Sequence, residues 1–169
     1  LFPRDIDSIV ANLGMPSYAG SQILNWIYDK KVEDVESMTN VSKEFREKIQ
    51  TQLFFRRSKV ITTKYASDGT IKKLLAWDDE DKRTETVMIP TKSRRTACVS
   101  SQVGCPVGCT FCASGLEGLE GNLSVGQIVE QLIRLEDESI TNVVFMGMGE
   151  PMANYDAITR AIRIINAPW

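Results

Sequence analysis

Cys105, Cys109 and Cys112 fall in the single run Cys105-Pro-Val-Gly-Cys-Thr-Phe-Cys112, and no other feature of the chain is so well suited to chemistry. The spacing Cys-x-x-x-Cys-x-x-Cys supplies three thiolates. These can hold three corners of a cubane iron–sulfur cluster and leave the fourth iron without a protein ligand. An iron left open in that way can chelate a small molecule. Two other uses of the cysteines stand beside this one. With Cys98 they number four, enough for tetrahedral zinc, although zinc loops usually pair their ligands as Cys-x-x-Cys and the chain has no His. Two disulfides suit the pattern least, because disulfide scaffolds staple distant loops and these cysteines are all local.

A second loop lies downstream, Gly147-Met-Gly-Glu-Pro151. Gly147 and Gly149 lack side chains, so a small molecule can approach the backbone closely, and Glu150 can accept from an ammonium group. Both loops follow apolar strands. Thr96-Ala-Cys-Val-Ser100 reads as a strand feeding the cysteines, and Ile140 to Met146 reads as a strand of the kind buried on both faces in parallel sheets. Ser124 is placed to cap a helix carrying Ile128, Val129, Leu132, Ile133 and Leu135. Asn154 opens another with Ile158, Ala161, Ile162 and Ile165. Strand, loop, helix, twice over, is two consecutive β/α units. In such sheets ligands sit outside the carboxyl ends of the strands, where both loops would be neighbours.

Upstream, the pattern is different. Ile6, Ile9, Val10 and Leu13 precede Gly14 at helical spacing, Ile23 to Tyr28 mark a second helix, and Ser42 caps a third with Phe45, Ile49 and Leu53. Trp26 and Tyr28 could stack on bases, but their aliphatic neighbours favour a core role. From Lys59 the chain alternates β-branched residues, turns at Ser67-Asp-Gly69 and returns to Trp77, a hairpin signal. A third strand runs from Thr84 to Pro90. It carries Glu85, which spacing alone reads as a solvated carboxylate.

The 169 residues, 43% apolar, allow one domain or two small ones. No apolar run approaches the roughly 18 residues of a membrane span, and the start has no secretion signal, so no membrane association and a reducing cytoplasm are expected. The chain does not begin with Met, which is read as a trimmed start. Net charge −2 and a pI near 5.3 argue against a protein that coats nucleic acid by bulk charge. Between Lys43 and Lys73, however, nine basic residues face three acids, and Asp78-Asp-Glu-Asp81 then reverses the sign. A solvated face and a phosphate-contacting patch explain that run equally well.

Cys105, Cys109 and Phe111-Cys112 resemble the fingerprint of the radical S-adenosylmethionine superfamily. A closer likeness extends over nearly the whole chain. Cys98-Val-Ser-Ser-Gln-Val-Gly-Cys105, Gly108-Cys-Thr-Phe-Cys-Ala113, Asn122-Leu-Ser, Val144 to Met152, Gln22 to Tyr28 and Met38 to Ser42 resemble the adenine C2 methyltransferases of large-subunit rRNA and, in many members, tRNA. The resemblance implies an α/β fold: a helical accessory, RNA-binding-like domain over 1–55, a β-hairpin extension over 56–93, and the first two β/α units of an incomplete (β/α) barrel over 94–169. It implies a 4Fe-4S cluster on Cys105, Cys109 and Cys112, and S-adenosylmethionine held at Gly149 and Glu150. Glu85 becomes the general base that takes the proton from the methylated carbon, reversing its solvated reading, and Cys98 the thiol that releases a protein–RNA intermediate through a disulfide. The implied partners are 23S rRNA, tRNA and an electron donor such as flavodoxin or ferredoxin, with a full-length monomer. The sibling methylation at adenine C8 and an RNA-binding module with structural zinc are the alternatives.

One element of that pattern is missing. The family carries its methyl group on a cysteine near the C-terminus, and no Cys follows Cys112. The superfamily barrel has about six β/α units, and at about thirty residues or more each only two fit here. The chain is therefore read as the N-terminal portion of a longer enzyme, inactive on its own, whose parallel sheet would end in an open edge.

Overall fold

The computed structural model describes residues 3–53, 55, 58–77, 81–135 and 139–167. The chain divides into two compact units, residues 1–56 with 166–169, and residues 57–165.

The first unit is helical. α1 (Pro3–Asn12), α2 (Tyr18–Tyr28) and α3 (Lys43–Gln50) enclose a core of Ile6, Val10, Ile23, Leu24, Met38, Val41 and Ile49. Helical spacing aligns Ile6, Val10, Ile23, Leu24 and Ile49 on inward faces, Met38 and Val41 join them from the α2–α3 connection, and each buried aliphatic side chain contributes about 1.5–3 kcal/mol. Gly14, at φ 66°, turns the chain out of α1, and the Ser42 hydroxyl accepts from the Phe45 N–H to cap α3. Trp26 and Tyr28 pack against the core, as their aliphatic neighbours imply. The Trp26 indole N–H donates to Asn40 Oδ1 at 2.5 Å, and the Lys30 ammonium stands 3.7 Å from its ring centroid. Burial pushes the Tyr28 hydroxyl up to about 12, with the charge of Asp5 adding to the effect.

The second unit is built on a five-stranded sheet. β1 (Lys59–Tyr65), β2 (Ile71–Ala76), β3 (Arg83–Pro90) and β4 (Arg95–Cys98) run antiparallel in chain order. A small separate hairpin of β5 (Gln102–Gly104) and β6 (Leu119–Asn122) follows, then α4 (Val125–Ile133), β7 (Asn142–Val144) and α5 (Tyr155–Ile165). β7 lies parallel to β4, pairing Cys98 with Val144, so β4–α4–β7–α5 forms the two expected β/α units. These continue directly from the antiparallel hairpin in one sheet.

The first turn has a physical basis in three residues. Gly69 sits at φ 86°, its N–H reaches the Ala66 carbonyl, and Asp68 Oδ1 accepts from the Thr70 N–H at 2.9 Å. In β1 the register slips between Val60 and Thr62, leaving Ile61 as a bulge. α4 opens with a complete capping box, Ser124 and Gln127 each satisfying the other's backbone N–H.

One sheet face packs on the helices through Met88, Ala97, Val99 and Leu135, flanked by Leu132, Val143 and Phe145. β7 departs from the expectation of a strand buried on both faces. It pairs with β4 alone among the described strands, and Val143 and Val144 are half-buried. α5 turns Ile158, Ala161 and Ile164 inward, while Ile162 is exposed on its flank. The entry to β1 is fixed by a buried polar group. Glu130 accepts from the Ser58 N–H at 2.5 Å and its hydroxyl at 2.9 Å, and Arg134 stands 3.4 Å from Glu130 while donating to the same serine. No helix among the described residues is long and apolar enough to cross a membrane.

Candidate functional site

Both chemically equipped loops leave the sheet at the carboxyl ends of the parallel pair, β4 and β7. The cysteine loop does not follow β4 directly. Val99 to Ser101 intervene, and the loop, residues 105–118, spans the open end of the β5–β6 hairpin. Its neck is pinned by the Cys105 N–H on the Gly118 carbonyl at 2.9 Å. Gly104 is required there: at φ 72°, a Cβ would lie 2.1 Å from that same oxygen. Within the loop the Cys112 N–H bonds the Cys109 carbonyl at 3.1 Å.

All four cysteines are free thiols. Cys109 is exposed, and Cys105 and Cys112 are half-buried. Among the described residues, no three Cys, Asp or Glu side chains are gathered in a metal-ligating group. The chemistry of the donor set nonetheless fits an iron–sulfur cluster: three soft sulfur ligands on one exposed loop, with Cys98 apart from them on β4. Phe111 is 90% exposed between the last two cysteines, and Val107, Leu116, Met146 and Met152 are also exposed, so the rim around the two loops is apolar. A cavity of about 210 Å³ opens beside the cysteine loop, its lining including Val103, Gly104, Ala113, Ser114, Arg83 and Met148.

The Gly147–Glu150 turn lies directly on the segment Val99–Gln102, which is buried throughout. A Cβ on Gly147 would meet Ser100 Oγ at 2.7 Å and the Val99 carbonyl at 2.9 Å. One on Gly149, at φ 96°, would meet Gln102 Cβ at 2.6 Å. On that side of both glycines it is the protein's own backbone and side chains, rather than an external molecule, that make the close approach. Ser100 Oγ donates to the Glu85 carbonyl at 2.7 Å and accepts from the Met148 N–H at 2.9 Å. Gln102 Oε1 accepts from the Glu150 N–H at 2.8 Å, and its amide nitrogen donates to Asn122 Oδ1 at 2.7 Å. The Gln131 amide closes a pair of bonds on the Ser100 backbone at 2.7 and 2.9 Å. Asn154, directly before α5, donates to the carbonyls of Ser101 and Leu123. Sequence reasoning missed these polar residues, whose only signal was an amide or hydroxyl among apolar neighbours. The Glu150 carboxylate accepts from the Met152 N–H at 3.0 Å and is only half-buried.

Glu85 and Cys98 share a sheet face. Thr84, Thr86 and Met88 are buried along β3, so Glu85 and Val87 point to the opposite face. Cys98 stands opposite Val87, which makes it a diagonal neighbour of Glu85, a relation that spans about 7–8 Å in antiparallel pairs. Glu85 is half-exposed and 2.9 Å from Lys72 on β2. Such an exposed pair is worth roughly 0–1 kcal/mol and orients the carboxylate more than it stabilises the fold. Burial pushes the Cys98 thiol up from the ordinary value, partly offset by a backbone hydrogen bond from Met146.

Several members of the basic run are paired with neighbours. Arg46 and Lys48 pair with Glu36 and Glu44 in the helical unit, Lys72 pairs with Glu85, and Lys73 donates to the Arg134 carbonyl. Arg56, Arg57 and three of the four acids in Asp78–Asp81 lie outside the described residues.

Comparison with known proteins bears on both units. Residues 3–54 match the family described as "Ribosomal RNA large subunit methyltransferase N-terminal domain", and residues 99–168 match the "Radical SAM superfamily". The chain is 45% identical over 172 residues to the "Probable dual-specificity RNA methyltransferase RlmN" of Dictyoglomus turgidum, covering 98% of this chain and 49% of that protein. It is 45% identical over 167 residues to the protein of the same name from Thermotoga neapolitana, covering 96% and 48%. Among solved structures, a radical SAM methyltransferase from Sphaerobacter thermophilus superposes with a TM-score of 0.88 at 37% identity, covering 99% of this chain and 51% of that one. The chain thus spans about half the length of the curated relatives it matches.

Proposed function

We propose, because this chain belongs to the RlmN family of radical SAM RNA methyltransferases, that it supplies the cofactor-binding and proton-accepting side of an enzyme that methylates adenine carbon 2 in 23S rRNA and in tRNA. The observation that supports this best is the interlocking of the two loops. One carries three free thiols, the other Gly149 and Glu150, and both rest on the same buried segment at the carboxyl edge of the sheet.

Adenine carbon 2 is electron-poor and its hydrogen is not acidic, so polar methyl transfer has no nucleophile to use. A 4Fe-4S cluster on Cys105, Cys109 and Cys112, with one iron left for S-adenosylmethionine, supplies the one-electron chemistry that avoids this requirement. Those three side chains must turn toward a common centre to hold it. The Gly149 backbone and the Glu150 carboxylate accept from the donor's amino group, while the exposed Phe111 and Met152 offer apolar cover. On the adjoining sheet face, Glu85 accepts the proton leaving the methylated carbon, and Lys72 holds that carboxylate in place. Cys98, once deprotonated, attacks the sulfur of the family's methyl-carrying cysteine, which is not one of this chain's four. The S–S bond forms as the bond from that sulfur to the transferred carbon breaks, and this carbon keeps the electron pair, takes up a proton and leaves as the methyl group of the base. The reductant is a low-potential protein such as flavodoxin or ferredoxin, and residues 1–55 serve as the RNA-facing accessory domain of a cytoplasmic enzyme.

Anaerobic reconstitution with iron and sulfide tests the cluster. A brown protein absorbing near ~400 nm, whose paramagnetic signal changes when S-adenosylmethionine is added, is the expected result. A colourless protein containing zinc on four cysteines would favour the RNA-binding module instead. Mass spectrometry of 23S rRNA and tRNA from cells with and without the gene then reads the position, and loss of an 8-methyl rather than a 2-methyl adenine would reassign the reaction to the sibling activity.

A further inference from the structure

Gln102 is wholly buried, is no part of either loop's chemistry, and yet grips the turn that carries Glu150 from two sides. Its Oε1 accepts from the Glu150 N–H at 2.8 Å, its own N–H reaches the Met148 carbonyl at 3.3 Å, and its Cβ fills the space beside Gly149. The side chain is itself fixed, because its amide nitrogen donates to Asn122 Oδ1 at the base of the cysteine hairpin. Two residues earlier, Ser100 does the same for Met148. Its hydroxyl accepts from the Met148 N–H and donates to the Glu85 carbonyl. The N–H groups of Met148 and Glu150 are therefore held by side chains of the segment that leads into the cysteine loop.

We propose that Gln102, seconded by Ser100, is a positioning residue that sets the backbone of the Met148–Glu150 turn against the cysteine hairpin, so that Glu150 meets the amino group of a sulfonium donor chelated at the loop. The proposal rests on the radical SAM reading given above. Gln102 touches no ligand. It acts through the Glu150 peptide, and through Asn122 it ties that peptide to β6 of the hairpin from which the cysteine loop projects. A side chain bonded to the Glu150 peptide and to β6, the strand that returns from the cysteine loop, limits how far that turn can shift against the hairpin, and a misplacement of about 1 Å in such a constellation is costly.

The test uses the intact enzyme, reconstituted with its cluster, and the substitution Gln102→Met, which keeps length and removes both polar atoms. Three quantities are measured: hydrogen exchange at the Glu150 amide, the dissociation constant of S-adenosylmethionine from its perturbation of the cluster signal, and iron content. The expected result is at least tenfold faster exchange and about tenfold weaker donor binding at unchanged iron content, with the KM for RNA unaltered. Faster exchange with unchanged donor affinity overturns the positioning role, as does unchanged exchange. If Gln102→Met fails to load iron, Ser100→Ala is judged on the Met148 amide by the same criteria. Failure of the unsubstituted enzyme to bind the donor refutes the radical SAM reading itself, whereas normal binding by both the enzyme and its variant refutes this proposal alone.

Discussion

Replacing Gln131 with leucine isolates the bond pair that anchors Val99–Gln102 to α4. The amide accepts from the Ser100 N–H at 2.7 Å and donates to the Ser100 carbonyl at 2.9 Å, in a residue with no exposed surface. Gln131→Leu keeps the side-chain volume but leaves both backbone groups buried without partners, at about 1–3 kcal/mol each. Leucine's greater apolarity returns roughly 1 kcal/mol, on the basis of about 0.8 kcal/mol per buried CH₂. The net loss is about 1–5 kcal/mol, a large share of the 5–15 kcal/mol typical of a domain. Because the chain has two units, the assay must follow only one of them. Urea dependence of hydrogen exchange at the β3 and β4 amides does so, and a lower midpoint at unchanged slope is the expected result. A loss below about 0.5 kcal/mol would show that Ser100 finds other partners, and the reasoning from buried satisfaction would fail.

Cys98, its thiol raised by burial, should be alkylated more slowly than the exposed Cys109 at neutral pH, with its rate rising only above the ordinary thiol range. In stability terms, the buried neutral thiol contributes fully below the unfolded pKa, and that contribution is lost as pH rises through the folded one. A coincident alkylation profile for the two thiols would contradict the assigned burial. Gly149→Ala combines positive φ with contacts of 2.6–2.8 Å to Ser101 and Gln102. Strain of roughly 1–3 kcal/mol and overpacking of about 1–3 kcal/mol should displace the turn, visible as loss of protection at the Glu150 amide. Ser124→Ala breaks the capping box of α4 and should cost about 1 kcal/mol by thermal unfolding, and no change would mean that the helix end is held by packing.

The elements that sequence revealed were those with local causes. Ser42 and Ser124 cap helices because a hydroxyl at that position meets an N–H three residues on, and Asp68-Gly69 turns because its backbone and side chain are suited to it. The pairing of Glu85 with Cys98 on one face was not legible by spacing, since it depends on the antiparallel register of β3 against β4. Gly147 and Gly149 read as places where a ligand can approach the backbone, and spacing gave no sign that their Cβ sides lie against Val99–Gln102. Glutamines 102 and 131 gave no warning either. A buried amide is distinguished from an exposed one only by the long-range contacts that surround it, here across 20 to 48 positions of chain. Within the basic run, the partner of Lys72 on β3 was likewise set by strand pairing and not by proximity in sequence, whereas Lys48 and Glu44 are one helical turn apart.

The displaced register at Ile61 has an effect on how copies of this molecule meet. β1 is the outermost strand on its side of the sheet, with Val60 and Ile61 partly uncovered, and a straight strand of that composition would template the addition of another. The bulge breaks the regular register near the start of β1, and an antiparallel pairing of two copies that sets Lys59 opposite Lys64 would bring like charges together. A kink and a pair of ammonium groups thus work against templated strand addition at this margin of the sheet.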